Sequence, residues 1–194
     1  MTKPDNKPAT YRDLQIIADN VIGELFDGEI VTSPRPSFRH AHIAKKVTSI
    51  LTRAFEDGVD GPGGWWLFPE PELHLGGDAF VPDIAGWRRE RVPDFPDVVS
   101  YDVIPDWICE VLSPGTRRID YYYKLPRYGK NGVPWVWLVD PAMRDITIHR
   151  LENGRYPSVT VYFDHDGPVR AEPFGAIELE VASFWPPTAP DPRN

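Results

Sequence analysis

Cysteine is almost absent: Cys109 is the single one among 194 residues. An internal disulfide and a thiolate zinc site are excluded, so any bound metal has to use oxygen or imidazole ligands. Flanked by Ile108 and followed closely by Val111, Cys109 reads as a small buried hydrophobe. Long apolar runs are missing too, which leaves no segment suited to spanning a bilayer. The opening MTKPDNKPAT is polar and Pro-containing rather than a basic-then-apolar secretory signal, so a cytoplasmic protein without a membrane partner is expected. There is no Gly-rich phosphate loop ending in Gly-Lys-Ser/Thr, no dinucleotide fingerprint, no His-Glu-x-x-His and no Gly-x-Ser-x-Gly elbow. Positive charge is in deficit: the formal net charge of −8 argues against a protein that coats nucleic acid nonspecifically, because such binding rests on Lys and Arg releasing counterions. A local basic groove stays compatible with it.

What is present is ordinary for a globular chain, with 41% hydrophobic and 26% charged residues. The length suits one domain. Pro and polar residues without periodicity mark residues 1–10 and the tail from Pro186 as flexible ends, leaving a domain over residues 11–185. No internal repeat is visible.

Within that span, Tyr11 to Ile22 reads as a short helix, with Thr10 and Asp13 as a capping box in which Asp replaces Glu. Asp27-Gly28 is a hairpin-type turn before a strand at Glu29 to Thr32. Ser37 can cap a helix running to about Phe55, whose Ile43, Val47, Ile50, Leu51 and Ala54 recur on one face. Strands are expected at Trp65 to Phe68, Glu72 to Leu75 and Phe80 to Trp87, as an antiparallel meander. Trp107 to Leu112 is an apolar strand, Gly115 to Lys130 a helix ending near Gly132, and Trp135 to Val139 a second apolar strand, together a right-handed parallel crossover. Strands near Ile146 to Leu151, Ser158 to Phe163 and Ile177 to Val181 extend the sheet as an antiparallel C-terminal part. The expected fold class is α/β in the α+β sense: a mixed β-sheet flanked by helices.

Two acids stand in apolar strands. In Trp107 to Leu112 the alternation puts Glu110 on the face of Ile108 and Leu112, and neither face looks made for water. A carboxylate there has to be protonated, paired or bound to a cation; a core salt bridge satisfies it equally well. Asp83 interrupts Phe80 to Trp87 in the same way. Pro82 beside it removes a ladder donor, which places the segment at an edge or bulge that can aim a side chain into a site. A turn cap, or a pair with Arg88 or Arg89, is the bland alternative. If the two acids converge, a hard divalent cation relieves their repulsion, and all-oxygen ligation favours Mg²⁺ or Mn²⁺. Asp120 and Lys124, four apart, share a helix face. They can form a plain surface ion pair, but a helix folding back from the Glu110 strand can also carry the ammonium to the carboxylates.

Around Lys124 the helix carries Arg117, Arg118, Arg127 and Lys130 among Tyr121, Tyr122, Tyr123 and Tyr128, and the segment from Phe38 to Arg53 has Lys45 and Lys46 with no acid. Lys45, Lys46, Arg117, Arg118, Arg127 and Lys130 are the candidates for a phosphate-tracking groove, with tyrosines able to stack on bases. A solvated helix face gives the same pattern. His40 and His42, two apart, do not share a helical face and make a poor metal pair. His40 at the helix start can contact a phosphate or the site, or act only as a cap.

Val81-Pro82-Asp83, then Ile108-Cys109-Glu110-Val111-Leu112-Ser113-Pro114, Asp120 with Lys124, Tyr128, Gly132-Val133 and Trp135-Val136-Trp137-Leu138-Val139-Asp140-Pro141 resemble the Uma-type family of bacterial restriction endonucleases. Asp27-Gly28-Glu29-Ile30-Val31, Ser33-Pro34 and His40 fit the same pattern, and the resemblance covers roughly residues 11 to 185. It implies the PD-(D/E)XK nuclease superfamily: a restriction-endonuclease-like core and a divalent-metal phosphodiesterase site. Asp83 matches the first acid of the motif and Glu110 the second. Where the usual motif has a lysine two positions after that Glu, this chain has Leu112. Similar families supply the lysine from the following helix, which would make it Lys124. Glu29 matches a further acidic position.

The sequence thus points to a Mg²⁺-dependent endonuclease acting on DNA, with Asp83, Glu110 and the Val111 carbonyl holding the metal and Lys124 positioning the nucleophile. Glu29, His40 and Asp120 are additional candidates, and a homodimer suits the cutting of two strands. Two rivals stand beside it: a catalytically inactive nuclease-fold protein that binds nucleic acid or a protein partner, and a glycoside hydrolase using two carboxylates, which would need no Lys124.

Overall fold

The computed structural model describes residues 7–18 and 20–187; the outer parts of the two ends assigned as flexible, residues 1–6 and 188–194, lie outside the described residues. A six-stranded mixed sheet forms the centre. Its strands are β3 (Trp65–Pro69), β6 (Ile84–Arg88), β8 (Trp107–Val111), β9 (Trp135–Asp140), β10 (Asp145–Glu152) and β11 (Arg155–Phe163), in the order β11-β10-β9-β8-β6-β3. β8 and β9 run parallel, with Trp107 opposite Trp135 and Val111 opposite Val139. All other neighbours in this sheet are antiparallel. Every residue of β8 is buried, as the continuous apolar run of a central strand requires.

A second sheet, ordered β2-β1-β5-β4-β7, is built from β1 (Val21–Phe26), β2 (Glu29–Pro34), β4 (Glu72–Leu75), β5 (Asp78–Phe80) and β7 (Ser100–Tyr101). The alternation of β8 serves two cores. Trp107, Cys109 and Val111 pack with Ile43, Val47 and Leu51 of α2 (Phe38–Leu51) and with Phe174 from the C-terminal part. Ile108 and Leu112 pack on the opposite side with Phe26, Leu73, Phe80 and Tyr128. Glu110 lies on that second side, where the small sheet closes over the central one.

The helix α1 is only Tyr11–Leu14, capped as expected by Asp13 Oδ2, which accepts the Thr10 N–H at 2.8 Å. Val21 and Ile22, assigned to that helix from their spacing, instead open β1, which pairs along its whole length with β2 across the Asp27-Gly28 turn. Both turn residues have positive φ, 49° and 77°, the twist that closes a tight hairpin. Burial of Leu25 and Phe26 on one long hairpin outweighs a helix for which Gly23 is a poor residue.

The antiparallel meander is also corrected. Phe80 ends β5 in the small sheet and Ile84 begins β6 in the large one, so Val81-Pro82-Asp83 is a crossing between sheets. β3 pairs with β6, and β4 with β5. Pro82 cannot donate to a ladder, which suits a segment leaving one sheet for another. Among the later strands, the region Ile177 to Val181 does not extend the central sheet. Only β13 (Leu179–Glu180) is extended, paired with β12 (Pro168–Val169), before Val181–Phe184 coil into a 3₁₀ turn. That turn buries Val181 and Phe184.

The helix after β8 comes in three pieces: α3 (Arg117–Ile119), a π-helical stretch Asp120–Lys124, and α4 (Leu125–Asn131). Gly132, with φ 87°, ends it in the left-handed conformation, and Val133 N–H returns to the Tyr128 carbonyl at 3.0 Å. The widened turn faces Asp120 and Lys124 inward, both buried; such bulges are frequent at functional sites.

Candidate active site

The crossing from β5 to β6 leaves backbone N–H groups without strand partners, and carboxylates take them up. Val81 N–H donates to Glu24 Oε1 of β1 at 2.9 Å, and Asp83 N–H points to Glu110 Oε2 of β8 at 3.4 Å. In return the Asp83 carboxylate accepts the Val111 N–H at 2.7 Å. The same Oδ2 lies 3.1 Å from Nε2 of His40, on the first turn of α2. Neither Arg88 nor Arg89 pairs with Asp83: their guanidinium groups lie over the rings of Trp65 and Trp66.

Lys124 reaches into this junction from the π-helical turn. Its Nζ lies 3.0 Å from Glu24 Oε1, 3.1 Å from Glu110 Oε1 and 3.8 Å from Asp120 Oδ1, and it donates to the Val81 carbonyl at 3.3 Å. Glu110 Oε1 also accepts the Tyr128 hydroxyl at 2.6 Å. Only 2% of Glu110 and 5% of Lys124 are exposed. Three carboxylates therefore share the Lys124 ammonium while Asp83 faces His40, and a cavity of about 240 Å³ opens on them, with Ser33, Pro36 and Ser37 on one rim and Ser113 and Thr116 on the other.

The charge imbalance sets the protonation chemistry. Burial pushes the Glu110 carboxyl well above the usual range; Lys124 opposes this, and Asp120, Asp83 and Glu24 add to it. Asp120 is pushed up to about 6, by burial first, against Lys124. For Lys124, burial alone would lower the pKa, but the surrounding carboxylates outweigh it and hold the amine charged. His40 behaves likewise: burial lowers it, the Asp83 carboxylate, the Val111 backbone and Asp120 together outweigh that, and the net shift is upward.

Expected residues Asp83, Glu110, Lys124, His40 and Asp120 come together here. Glu29 does not: it is exposed at the start of β2 opposite Phe26 and does not line the cavity. Glu24 stands in the cluster instead. Its signal was available, since Glu24 is a lone acid within Ile22-Gly23-Glu24-Leu25-Phe26, the same pattern that marks Asp83 and Glu110. Tyr128 is a further member without an assigned site role at the sequence level. Of the basic candidates, Lys45 lines a neighbouring groove, while Lys46, Arg118 and Lys130 are exposed. Arg117 is paired with Asp140, and Arg127 with Asp27 and Asp78, so these two tie elements together.

Asp83 and Glu110, with the backbone carbonyl of Val111, the residue after Glu110, form a donor set of oxygens suited to a hard divalent cation. The cluster of buried carboxylates around this point fits a cation in this place. Among the described residues no group of three or more His, Cys, Asp or Glu side chains is arranged for ligation, so a backbone carbonyl and water have to complete the shell.

In architecture the chain is similar to a solved structure. A crystal structure described as "a putative nuclease belonging to DUF820", from Anabaena variabilis ATCC 29413, matches with a TM-score of 0.74 and 22% identity, covering 91% of this chain and 97% of that one. The Uma2 family, described as "Putative restriction endonuclease", matches residues 8–182; the chain belongs to this family, and the family and fold together point to a nuclease. No curated protein matches the chain. Among the described residues no helix is long and apolar enough to cross a membrane.

Proposed function

We propose that the protein is a divalent-metal-dependent endonuclease, using Mg²⁺ or Mn²⁺, that hydrolyses phosphodiester bonds in DNA. The observation that carries this reading is the meeting of Asp83, from the sheet crossing, with Glu110, from the central strand, at 3.4 Å between backbone nitrogen and carboxylate, next to the Lys124 ammonium. Asp83, Glu110 and the Val111 carbonyl would hold the metal, which when bound supplies charge to activate water and to stabilise the phosphorane-like transition state. The chain's own part is positional. Lys124, held by Glu24 and Asp120, keeps a fixed positive charge beside Glu110, where it can orient the attacking water. His40 is placed to donate from Nε2 toward Asp83 or toward a phosphate oxygen at the cavity mouth.

The test is incubation of purified protein with supercoiled plasmid and Mg²⁺ or Mn²⁺, followed by gel analysis. Wild type should nick or linearise the plasmid, and Asp83→Ala and Glu110→Ala should not. Equal cleavage by wild type and both variants would remove these residues from the chemistry.

A second reading, an inactive nuclease-fold protein that binds nucleic acid or a protein partner, draws on one observation. Leu112 holds the usual lysine position, and Lys124 spends its donors on carboxylates and the Val81 carbonyl. DNA binding without metal uptake by calorimetry, and without cleavage, would select it.

A further inference from the structure

Phe38, the first residue of α2, is 98% exposed, more than any other large apolar side chain among the described residues. A single apolar residue on a surface is ordinary, but the position of this one is not. Ser37 before it lines the acid cavity, and His40 two residues on contacts Asp83. Helical spacing places Phe38 on the face of Ala41, Lys45 and Thr48, which line a groove of about 650 Å³ along α2. Groove and acid cavity share Pro36, His40 and Asp83. The ring lines neither cavity itself; it stands free in solvent at the start of the helix whose Ala41, Lys45 and Thr48 line the groove, one residue from Ser37 and two from His40.

Charge alone gives this surface little hold on phosphate. On the groove walls Lys45 and Arg53 stand with Asp57, Glu70 and Asp83, Arg53 pairs with Asp60, and the chain carries a net charge of −8. A ring can hold a nucleotide by its base, and a base offers its face only when it is not already stacked in a duplex. We propose that the α2 groove takes an unpaired strand and that Phe38 stacks on a base next to the scissile phosphate, with Lys45 facing the backbone. The preferred substrate is then single-stranded DNA, or a duplex opened at the cut. This inference rests on the nuclease reading and names its substrate class.

The test uses the full chain with a single-stranded oligodeoxynucleotide carrying 2-aminopurine, and with its blunt duplex, in Ca²⁺ to measure binding without turnover. Wild type should bind the single strand at least about tenfold more tightly than the duplex, with a change in 2-aminopurine emission that reports stacking. Phe38→Ala should weaken single-strand binding about tenfold and leave duplex binding and thermal melting unchanged; Phe38→Trp should restore the binding. Equal binding by Phe38→Ala and wild type, a wild-type preference for the duplex, or no binding of either oligonucleotide overturns the inference. The two readings separate cleanly. Phe38-dependent binding without cleavage in Mg²⁺ or Mn²⁺ sinks the nuclease reading alone. Asp83-dependent cleavage of blunt duplex, unchanged in Phe38→Ala, sinks the stacking alone.

Discussion

Asp83 and Glu110 are clasped through the backbone: the Asp83 carboxylate accepts the N–H of Val111, the neighbour of Glu110, at 2.7 Å, while the Asp83 N–H points at Glu110 Oε2 at 3.4 Å. The clasp fixes two acids against one small volume before any ligand arrives. A cation bound there stabilises only the folded chain, because the unfolded chain does not hold the acids together. Wild-type melting temperature should therefore rise with Mg²⁺ or Mn²⁺ concentration in a fluorescence melting assay. Asp83→Asn keeps an acceptor for the Val111 N–H and loses the charge, so it should lose most of that rise. A rise of equal size in the variant would place the metal elsewhere.

Lys124 is the counter-charge of a buried cage formed by Glu24, Glu110 and Asp120. Lys124→Met fills similar space but leaves these carboxylates uncompensated, which should cost about 3 kcal/mol at pH 8 in denaturant unfolding. Part of that deficit should return on acidification. The carboxyls of Glu110 and Asp120 have raised values in the folded chain, about 6 for Asp120. A group of this kind favours the folded state fully below its unfolded value, and the contribution is lost as pH rises through the folded value. The gap between variant and wild type should thus narrow from pH 8 to pH 5, in EDTA. An equal gap at both values would argue against an electrostatic cage.

Asp83 and Glu110 were legible as lone acids in apolar strands, because the cost of burying a charge makes such a residue conspicuous without any structure. Lys124 and Asp120 followed from helical spacing, although the turn carrying them is π-helical. The β8-helix-β9 unit could be read from periodicity and length, and its parallel pairing is present. Glu24 carried the same lone-acid signal but stood outside any expected element, because β1 gains its stability from pairing with β2 and from burial in the small sheet, whereas local pattern placed its first residues in a helix. The split of Phe80 to Trp87 between two sheets is likewise a property of distant partners. So are the commitments of Arg127 to Asp27 and Asp78, which remove one expected phosphate ligand from the surface.

Glu24 touches Lys124 and the Val81 N–H, and so acts as a positioning residue. Glu24→Gln retains an acceptor for Val81 but takes one negative charge from the ammonium. If Lys124 orients the nucleophile, kcat for DNA cleavage should fall about tenfold, the scale of effects seen when partners behind a site's direct ligands are changed, with KM little altered. Melting temperature should fall only slightly, since Glu110 and Asp120 still neutralise Lys124. A rise in KM at constant kcat would assign Glu24 to substrate binding instead.

His149 gives a pH dependence remote from the acid cluster. It sits in β10 with its ring 5.8 Å from that of Tyr156, and both ring nitrogens are buried without hydrogen-bond partners. Burial lowers its pKa to about 4. Between that value and the ordinary histidine value near 6.5, the unfolded chain binds a proton that the folded chain refuses. Stability tied to the neutral ring is complete above about 6.5 and is lost as pH falls toward about 4. His149→Phe, which keeps an aromatic ring and removes both nitrogens, should remove this loss. Denaturant unfolding should show the variant gaining on wild type by about 3 kcal/mol between pH 7 and pH 4. Parallel pH curves for the two proteins would mean that water or movement of β10 lets His149 charge in place.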